Sequence, residues 1–238
     1  MQCIILAGGL GTRLGQRTVD KPKAMVTVAG EPFLRHQLRL LQNGGVDDVV
    51  ICIGYRGILI EDEIFRHSPP GMTVRCISDG QRLRGTAGAI RRAVEHGFTD
   101  ERFIVLHGDS YLLADLGEVW RSFRGDSFRA LMTVWRGGGL DDCNAGVVDG
   151  RVAVFRSSES RSYHPSMNHI DCGLSIIDAE TLLDLVPPGV PYDLADVYES
   201  IAADGLLQAY VVDHRFHEIG SESGLAELDR LLTLQTQR

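Results

Sequence analysis

Lysine is nearly missing from this chain of 238 residues: of its 24 lysines and arginines only Lys21 and Lys23 are lysine, which leaves 22 arginines. An excess of positive charge is missing too. The net charge of −8 and a pI near 5.5 argue against general nucleic-acid binding, which works through a basic face and counterion release. No C-x-x-C occurs among the five cysteines (Cys3, Cys52, Cys76, Cys143, Cys172), which are odd in number and widely spaced. Free thiols in a reducing compartment fit that pattern; a disulfide framework or zinc site does not. The opening Met1-Gln2-Cys3-Ile4-Ile5-Leu6 has no basic leader, and its apolar run is too short for a signal sequence or a membrane span. A cytoplasmic protein is expected. Internal repeats, low-complexity tracts and linkers are also missing, so a chain that is 44% hydrophobic predicts one domain around one substantial core. There is no G-x-x-x-x-G-K-[ST] phosphate loop, and no G-x-S-x-G elbow to support hydrolysis by a serine.

What the chain does have is a concentration of glycine near its start. Leu6 to Lys23 reads L-A-G-G-L-G-T-R-L-G-Q-R-T-V-D-K-P-K, with Gly8, Gly9, Gly11 and Gly15 close behind the apolar run Cys3 to Leu6. Leu14 stands where a dinucleotide fingerprint needs its third glycine. A strand feeding an anion-gripping loop remains the reading, because glycine lets successive backbone N–H groups converge on an anion. Both lysines sit beside that loop, with Arg13 and Arg17, in a chain that otherwise uses arginine. An ammonium is a point charge on a flexible stem, whereas guanidinium is a rigid fork, so the choice points to a phosphate followed through a reaction.

Apolar runs and helical patterns alternate through the first half. Cys3 to Leu6, Val49 to Ile53, Val74 to Ile77 and Phe103 to Leu106 predict strands; Pro32 to Gln42, Ile58 to Phe65 and Gly85 to Glu95 predict helices. That order predicts a doubly wound parallel sheet, whose ligands bind beyond the carboxyl ends of the strands. After a helix over Asp115 to Phe123 come strands at Ala130 to Trp135, Ala145 to Val148, Val152 to Phe155 and Cys172 to Ile177, with Asp149-Gly150 as a hairpin turn. Ser157 to Asn168 is polar and reads as a mobile loop. Helices over Ala179 to Leu185 and Leu194 to Ala203, a strand over Gln208 to Val212 and a helix from about Ser221 complete the chain.

Asp109 ends an apolar strand after a glycine, where a cation would stabilise it; a turn or capping role is the plain alternative. His214 and His217 lie in strand or loop and share no helix face, so they read as structural.

Leu6 to Leu14 followed by Pro22-Lys23 resembles the signature of the sugar-1-phosphate nucleotidylyltransferases. His107-Gly108-Asp109-Ser110 resembles the family's metal-holding G-D motif. Phe216-His217-Glu218-Ile219-Gly220-Ser221 resembles its late D-I-G-T motif, with Glu218 in place of aspartate. Gly85-Thr86-Ala87-Gly88-Ala89 is similar to its base-contacting G-T-A segment, and is most like that of the mannose- and heptose-1-phosphate guanylyltransferase branch. Asn144-Ala145-Gly146 and Asp171-Cys172-Gly173 resemble glycine-centred sugar-binding strands, with Asp171 where asparagine is usual. The family's F-x-E-K-P lysine is absent after Phe155, leaving Arg156 or Arg161 to replace it.

The resemblance implies an α/β fold with a Rossmann-like mixed, mostly parallel sheet flanked by helices, of the GT-A-like nucleotide-diphospho-sugar transferase kind. It divides the single domain into a nucleotide-binding half, 1–125, and a sugar-binding half with a closing helix, 126–238. It implies transfer of a nucleoside monophosphate from an NTP, GTP favoured, to a manno-configured hexose or heptose 1-phosphate, releasing pyrophosphate. Arg13 and Lys23 would be catalytic. Leu6, Ala7, Gly8, Gly9, Gly11, Thr12, Gly85, Thr86 and Ala87 would bind nucleotide, and Asn144, Gly146, Asp171 and Gly173 the sugar. Asp109 and Glu218 would hold Mg2+. The implied partners are the two small-molecule substrates, with no nucleic acid and no membrane, and a homo-oligomer is allowed. A cytidylyltransferase for a non-sugar phosphate or phosphonate shares the loop, as does a catalytically silent nucleotide-binding regulator. A nucleotide-sugar glycosyltransferase is disfavoured, since no D-x-D lies at the expected strand end.

Overall fold

The computed structural model describes residues 1–9, 11–80, 82–137, 143–156 and 164–236, with backbone only at Thr12, Arg13 and Thr236. The chain opens on β1 (Gln2–Ala7), which is buried on both faces. Its alternation sends Cys3, Ile5 and Ala7 into one core and Ile4 into another. A 3-10 segment (Thr12–Thr18) and the short strands β2 (Thr27–Val28) and β3 (Glu31–Pro32) lead to α1 (Phe33–Asn43). Then follow β4 (Asp48–Ile53), α2 (Ile58–His67), β5 (Thr73–Ser78), α3 (Gly85–Glu95) and β6 (Arg102–His107). The two-residue β7 (Ser110–Tyr111) comes next, then α4 (Leu116–Ser122), capped by the Asp115 carboxylate on the Glu118 amide at 2.9 Å. The second half runs β8 (Ala130–Trp135), β9 (Ala145–Val148), β10 (Arg151–Phe155), β11 (Ile170–Asp178), α5 (Ala179–Leu185), α6 (Leu194–Ala203), β12 (Leu207–Val212), β13 (His217–Glu218) and α7 (Glu222–Thr236).

Among the described residues, nine strands form one sheet in the order β5-β4-β1-β6-β11-β8-β12-β10-β9. The four strands from β5 to β6 are mutually parallel, as the βαβ order predicts. β11 then lies antiparallel between β6 and β8, β12 runs parallel to β8, and β10 opposes both β12 and β9. Only β10 and β11 run against the rest, so the sheet is mixed and mostly parallel. Its far edge curls back: Ala145 of β9 bridges to His169 just before β11. The part of the polar segment within the described residues is therefore held rather than loose, with Asn168 N–H donating to Ala145 O at 3.0 Å and Met167 buried. Residues 157–163 of that predicted loop, including Arg161, lie outside the described residues.

Helices α1, α2 and α4 pack on one face of the sheet and α3, α5 and α6 on the other. A third cluster lies under α7, where Leu225, Leu228 and Leu232 meet Leu14, Phe33, Tyr111 and Ile219. The glycine-rich segment is thus anchored through Leu14 to the last helix. Leu228 is fully buried there, so Leu228→Ala is expected to cost about 2–5 kcal/mol by lost transfer energy and cavity formation. A urea melt reads this as a lower midpoint at unchanged slope; an unchanged midpoint would remove α7 from the structural core.

Candidate active site

The carboxyl ends of β1, β4, β5 and β6 open into one cavity of about 390 Å³. Leu6, Ala7, Gly8, Gly9, Gly11, Lys23, Gly85, Thr86 and Asp109 all line it, so most of the residues picked out for nucleotide converge. β1 and β6 are neighbours, with Leu6 opposite His107, which sets the glycine segment beside Gly108-Asp109. Gly11 is left-handed at φ 64° and starts the 3-10 segment. The Thr18 hydroxyl ties that segment together by donating to Gly11 O at 2.9 Å and Gly15 O at 3.2 Å. The side chains of Thr12 and Arg13 lie outside the described residues.

Lys23 donates from Nζ to Asp109 Oδ2 at 2.6 Å, with the two side chains only 14% and 26% exposed. Glu218 comes to the same point by local pairing, because β13 and β7 form a small antiparallel sheet in which Glu218 is opposite Ser110. The Ile219 amide adds a bond to Asp109 O at 2.9 Å. A Cβ placed on Gly220 would lie 3.0 Å from Lys23 Nζ and nearer still to Glu218 Oε2. Lys23 therefore joins Asp109 on one side and approaches the Glu218–Gly220 turn on the other. Glu218 also folds onto the entry of α7, accepting from the Gly220 amide and, at 2.7 Å, from the Ser221 hydroxyl. Those two bonds leave lone pairs on each oxygen, since an ionised carboxylate offers about four acceptor sites. Hard oxygen donors of this kind suit magnesium, which takes one or two carboxylates and completes its shell with phosphate oxygens and water. Among the described residues no group of three or more His, Cys, Asp or Glu side chains gathers for a metal, so an all-protein cage is not what this site offers.

Two side chains at this site have no counterpart in the sequence reading. Gln37, fully buried on α1, donates to His107 O and to Ser110 O, both at 2.9 Å, and so holds the turn that carries Asp109. The signal was a glutamine on the apolar face made by Leu34, Leu38 and Leu41. Asp79, 6% exposed, lines the cavity just after β5, as Asp109 does after β6. Its Oδ2 accepts the Arg84 amide at 3.2 Å. Burial raises its pKa, while the Arg84 amide and guanidinium pull it back. A strand-end aspartate beside Gly80 was the available signal.

Gly85 is left-handed at φ 70°, and a Cβ there would run into Tyr192 O. One side of this glycine is thus filled by the Tyr192 backbone, and the residue lines the cavity. The Thr86 hydroxyl donates to Asp193 Oδ1 at 2.7 Å and accepts the Leu194 amide at 2.7 Å. Ala87 is fully buried in the core, with its amide on Tyr192 O at 3.0 Å, and does not line the cavity.

The four residues expected to bind sugar are brought together, though none lines this cavity. Asn144 Oδ1 accepts the Asp171 amide at 2.8 Å, and Asp171 Oδ1 accepts the Gly173 amide at 2.9 Å. Burial pushes the Asp171 carboxyl up, and nearby His107 draws it partly back. Gly146 is required by the Ser166 backbone and left-handed Gly173 by the Ser110 side chain. Gly173 sets the start of β11 directly over the turn that carries Asp109. Arg156 Nη1 is turned to Phe155 O at 3.1 Å and lies 3.9 Å from Glu199 Oε2. His217 is half-buried, with Nδ1 3.4 Å from Glu227 Oε1.

The sheet order and this cavity define a nucleotide-binding α/β transferase fold. The chain belongs to the MobA-like NTP transferase domain family, whose model matches residues 3–211. It is 32% identical over 137 residues to the glucose-1-phosphate cytidylyltransferase of Salmonella typhimurium, covering 49% of this chain and 52% of that one. It is 34% identical over 134 residues to the D-glycero-alpha-D-manno-heptose 1-phosphate guanylyltransferase of Aneurinibacillus thermoaerophilus, covering 56% of each. The chain thus spans about half the length of these curated relatives. Its fold matches the crystal structure of HddC from Yersinia pseudotuberculosis with a TM-score of 0.77 at 24% identity, over 97% of this chain and 99% of that one. Glu218 and α7 lie beyond the residues that the family model matches. No helix among the described residues is long and apolar enough to cross a membrane.

Proposed function

We propose that the protein is a sugar-1-phosphate nucleotidylyltransferase that moves a nucleoside monophosphate from an NTP to a sugar 1-phosphate. The observation that carries this is the convergence of the glycine segment, Lys23, Asp109 and Glu218 in and around one cavity. An oxygen of the sugar phosphate attacks the α-phosphorus in line; the new P–O bond forms as the bond to pyrophosphate breaks, and no protein nucleophile is used. The backbone N–H groups of Gly8 to Gly11 and the Arg13 guanidinium hold the β and γ phosphates. Lys23 neutralises charge developing at the α-phosphoryl group, where positioned cations act most strongly in a site that excludes water. Asp109 and Glu218 would hold Mg2+, whose chemistry is charge neutralisation on phosphate oxygens. Asn144 and Asp171 are assigned to the sugar, whose phosphate Arg156 or Arg161 would meet.

GTP is the proposed donor, and Asp79 supports that choice. A Cβ on Gly8 would lie 3.6 Å from Asp79 Oδ2, Leu83 and Gly85 line the same cavity, and a buried carboxylate there is an acceptor. Guanine offers N–H donors at adjacent ring and amino positions, whereas uracil flanks its single N–H with carbonyls. In Asp79→Asn the amide oxygen keeps the Arg84 N–H, so an NH2 donor turns to the base. Loss of a hydrogen bond to a charged acceptor costs about 1.5–3 kcal/mol, so kcat/KM for GTP is expected to fall roughly 10- to 150-fold. The likeness to a cytidylyltransferase makes CTP the second reading. Five nucleoside triphosphates crossed with hexose and heptose 1-phosphates, scored by pyrophosphate release, test both: GTP with a manno-configured acceptor is expected. Release with CTP alone refutes the base assignment, and no release with any pair refutes the activity.

A further inference from the structure

We propose that Lys23 is a built-in competitor for the metal position: its ammonium and a divalent cation exchange on Asp109, and the arriving cation frees the lysine for the substrate's phosphates. The inference rests on the functional reading above for what the freed lysine then meets. Its basis is geometric. Nζ is 2.6 Å from Asp109 Oδ2, in a pair largely screened from water. The same Nζ lies 3.0 Å from a point beside Gly220 that Glu218 Oε2 also borders. A divalent cation carries twice the charge of the ammonium onto the same carboxylate, so it competes for Asp109 Oδ2 directly. An ammonium kept there beside that cation would be repelled, and a bound triphosphate would offer it new anionic partners in the same cavity. A flexible four-carbon stem can make that short move, whereas a planar guanidinium forked onto a carboxylate is held in place. This accounts for a lysine here in a chain that places arginine at 22 other positions.

The test is Mn2+ binding to the full chain without nucleotide, followed by electron paramagnetic resonance. Lys23→Met and Lys23→Gln are expected to bind Mn2+ at least tenfold more tightly than the unmodified protein. Lys21→Met, which removes the same charge two residues away, is expected to stay within twofold. Asp109→Asn should abolish this class of binding in either background. Circular dichroism confirms that each variant is folded, and the glutamine variant serves if the methionine variant is not. Unchanged or weaker Mn2+ binding in the folded Lys23 variants overturns the proposal, as does an equal gain in Lys21→Met. Because no turnover is read, tightened Mn2+ binding with no pyrophosphate release would refute the enzymatic reading alone. Release with unchanged Mn2+ affinity would refute the exchange alone.

Discussion

Lys23→Met is expected to lower kcat by about 10²–10³, the usual effect of removing one preorganised charge from a developing oxyanion, while KM for the triphosphate changes much less. The split follows from position. Lys23 enters the cavity at the Asp109 end, where the reacting phosphoryl group would lie, whereas the backbone of Gly8, Gly9 and Gly11, which also lines the cavity, would take most of the triphosphate. The fold should survive. Asp109 keeps 26% exposure to water, which can hydrate its carboxylate once the ammonium is gone, and methionine retains the apolar stem. Steady-state pyrophosphate release with a melting curve checks this; turnover within tenfold of the unmodified enzyme would remove Lys23 from the reaction. Slower turnover together with tighter Mn2+ binding would be the joint signature of the two roles assigned to this one side chain.

Gly108→Ala is expected to be as damaging by another route. A Cβ at this position would run into Leu6 O and approach Leu6 C at 3.0 Å and Ala7 Cα at 3.2 Å, all of them backbone. The Gly108 amide already bonds to Leu6 O at 3.0 Å, so no side chain can move aside to make room. Either β1 and β6 separate or the turn carrying Asp109 shifts. Overpacking of this sort costs about 1–3 kcal/mol, and a displacement near 1 Å at a reacting centre costs about 10² in rate. Gly9→Ala is the contrast, since nothing among the described residues lies within 4 Å of its Cβ, and its denaturation midpoint should stay close to that of the unmodified protein. Denaturant melts of both variants decide the matter: equal midpoints would mean that the β1–β6 approach is not constrained as described.

Much of the architecture could be read from residue order. The predicted α3, α5 and α6 boundaries coincide with the observed ones. The β1, β4 and β6 runs are buried as continuous apolar stretches of a parallel sheet should be. Periodicity reports that a segment has a buried face; it is silent on which segment covers that face. The insertion of β11 between β6 and β8, the curl of β9 onto His169, and the two-residue strands β7 and β13 therefore had no signal in the sequence. Gln37 and Asp79 were missed for a related reason. A single polar residue on an apolar face or at a strand end gains meaning only once its hydrogen-bond partner or cavity is known.

The sequence by itself determined the chemical parts: a glycine-rich strand exit, two lysines beside it, an aspartate at the end of an apolar strand and a glutamate before the last helix. Only the tertiary structure decided that Lys23 pairs with Asp109, 86 residues away, and that Glu218, more than a hundred residues further on, comes up to Lys23 at Gly220. The physical reason is that adjacency here depends on strand order and on a two-residue pairing of β7 with β13. Both are settled by how whole faces pack, and neither leaves a periodic trace in the residues that result.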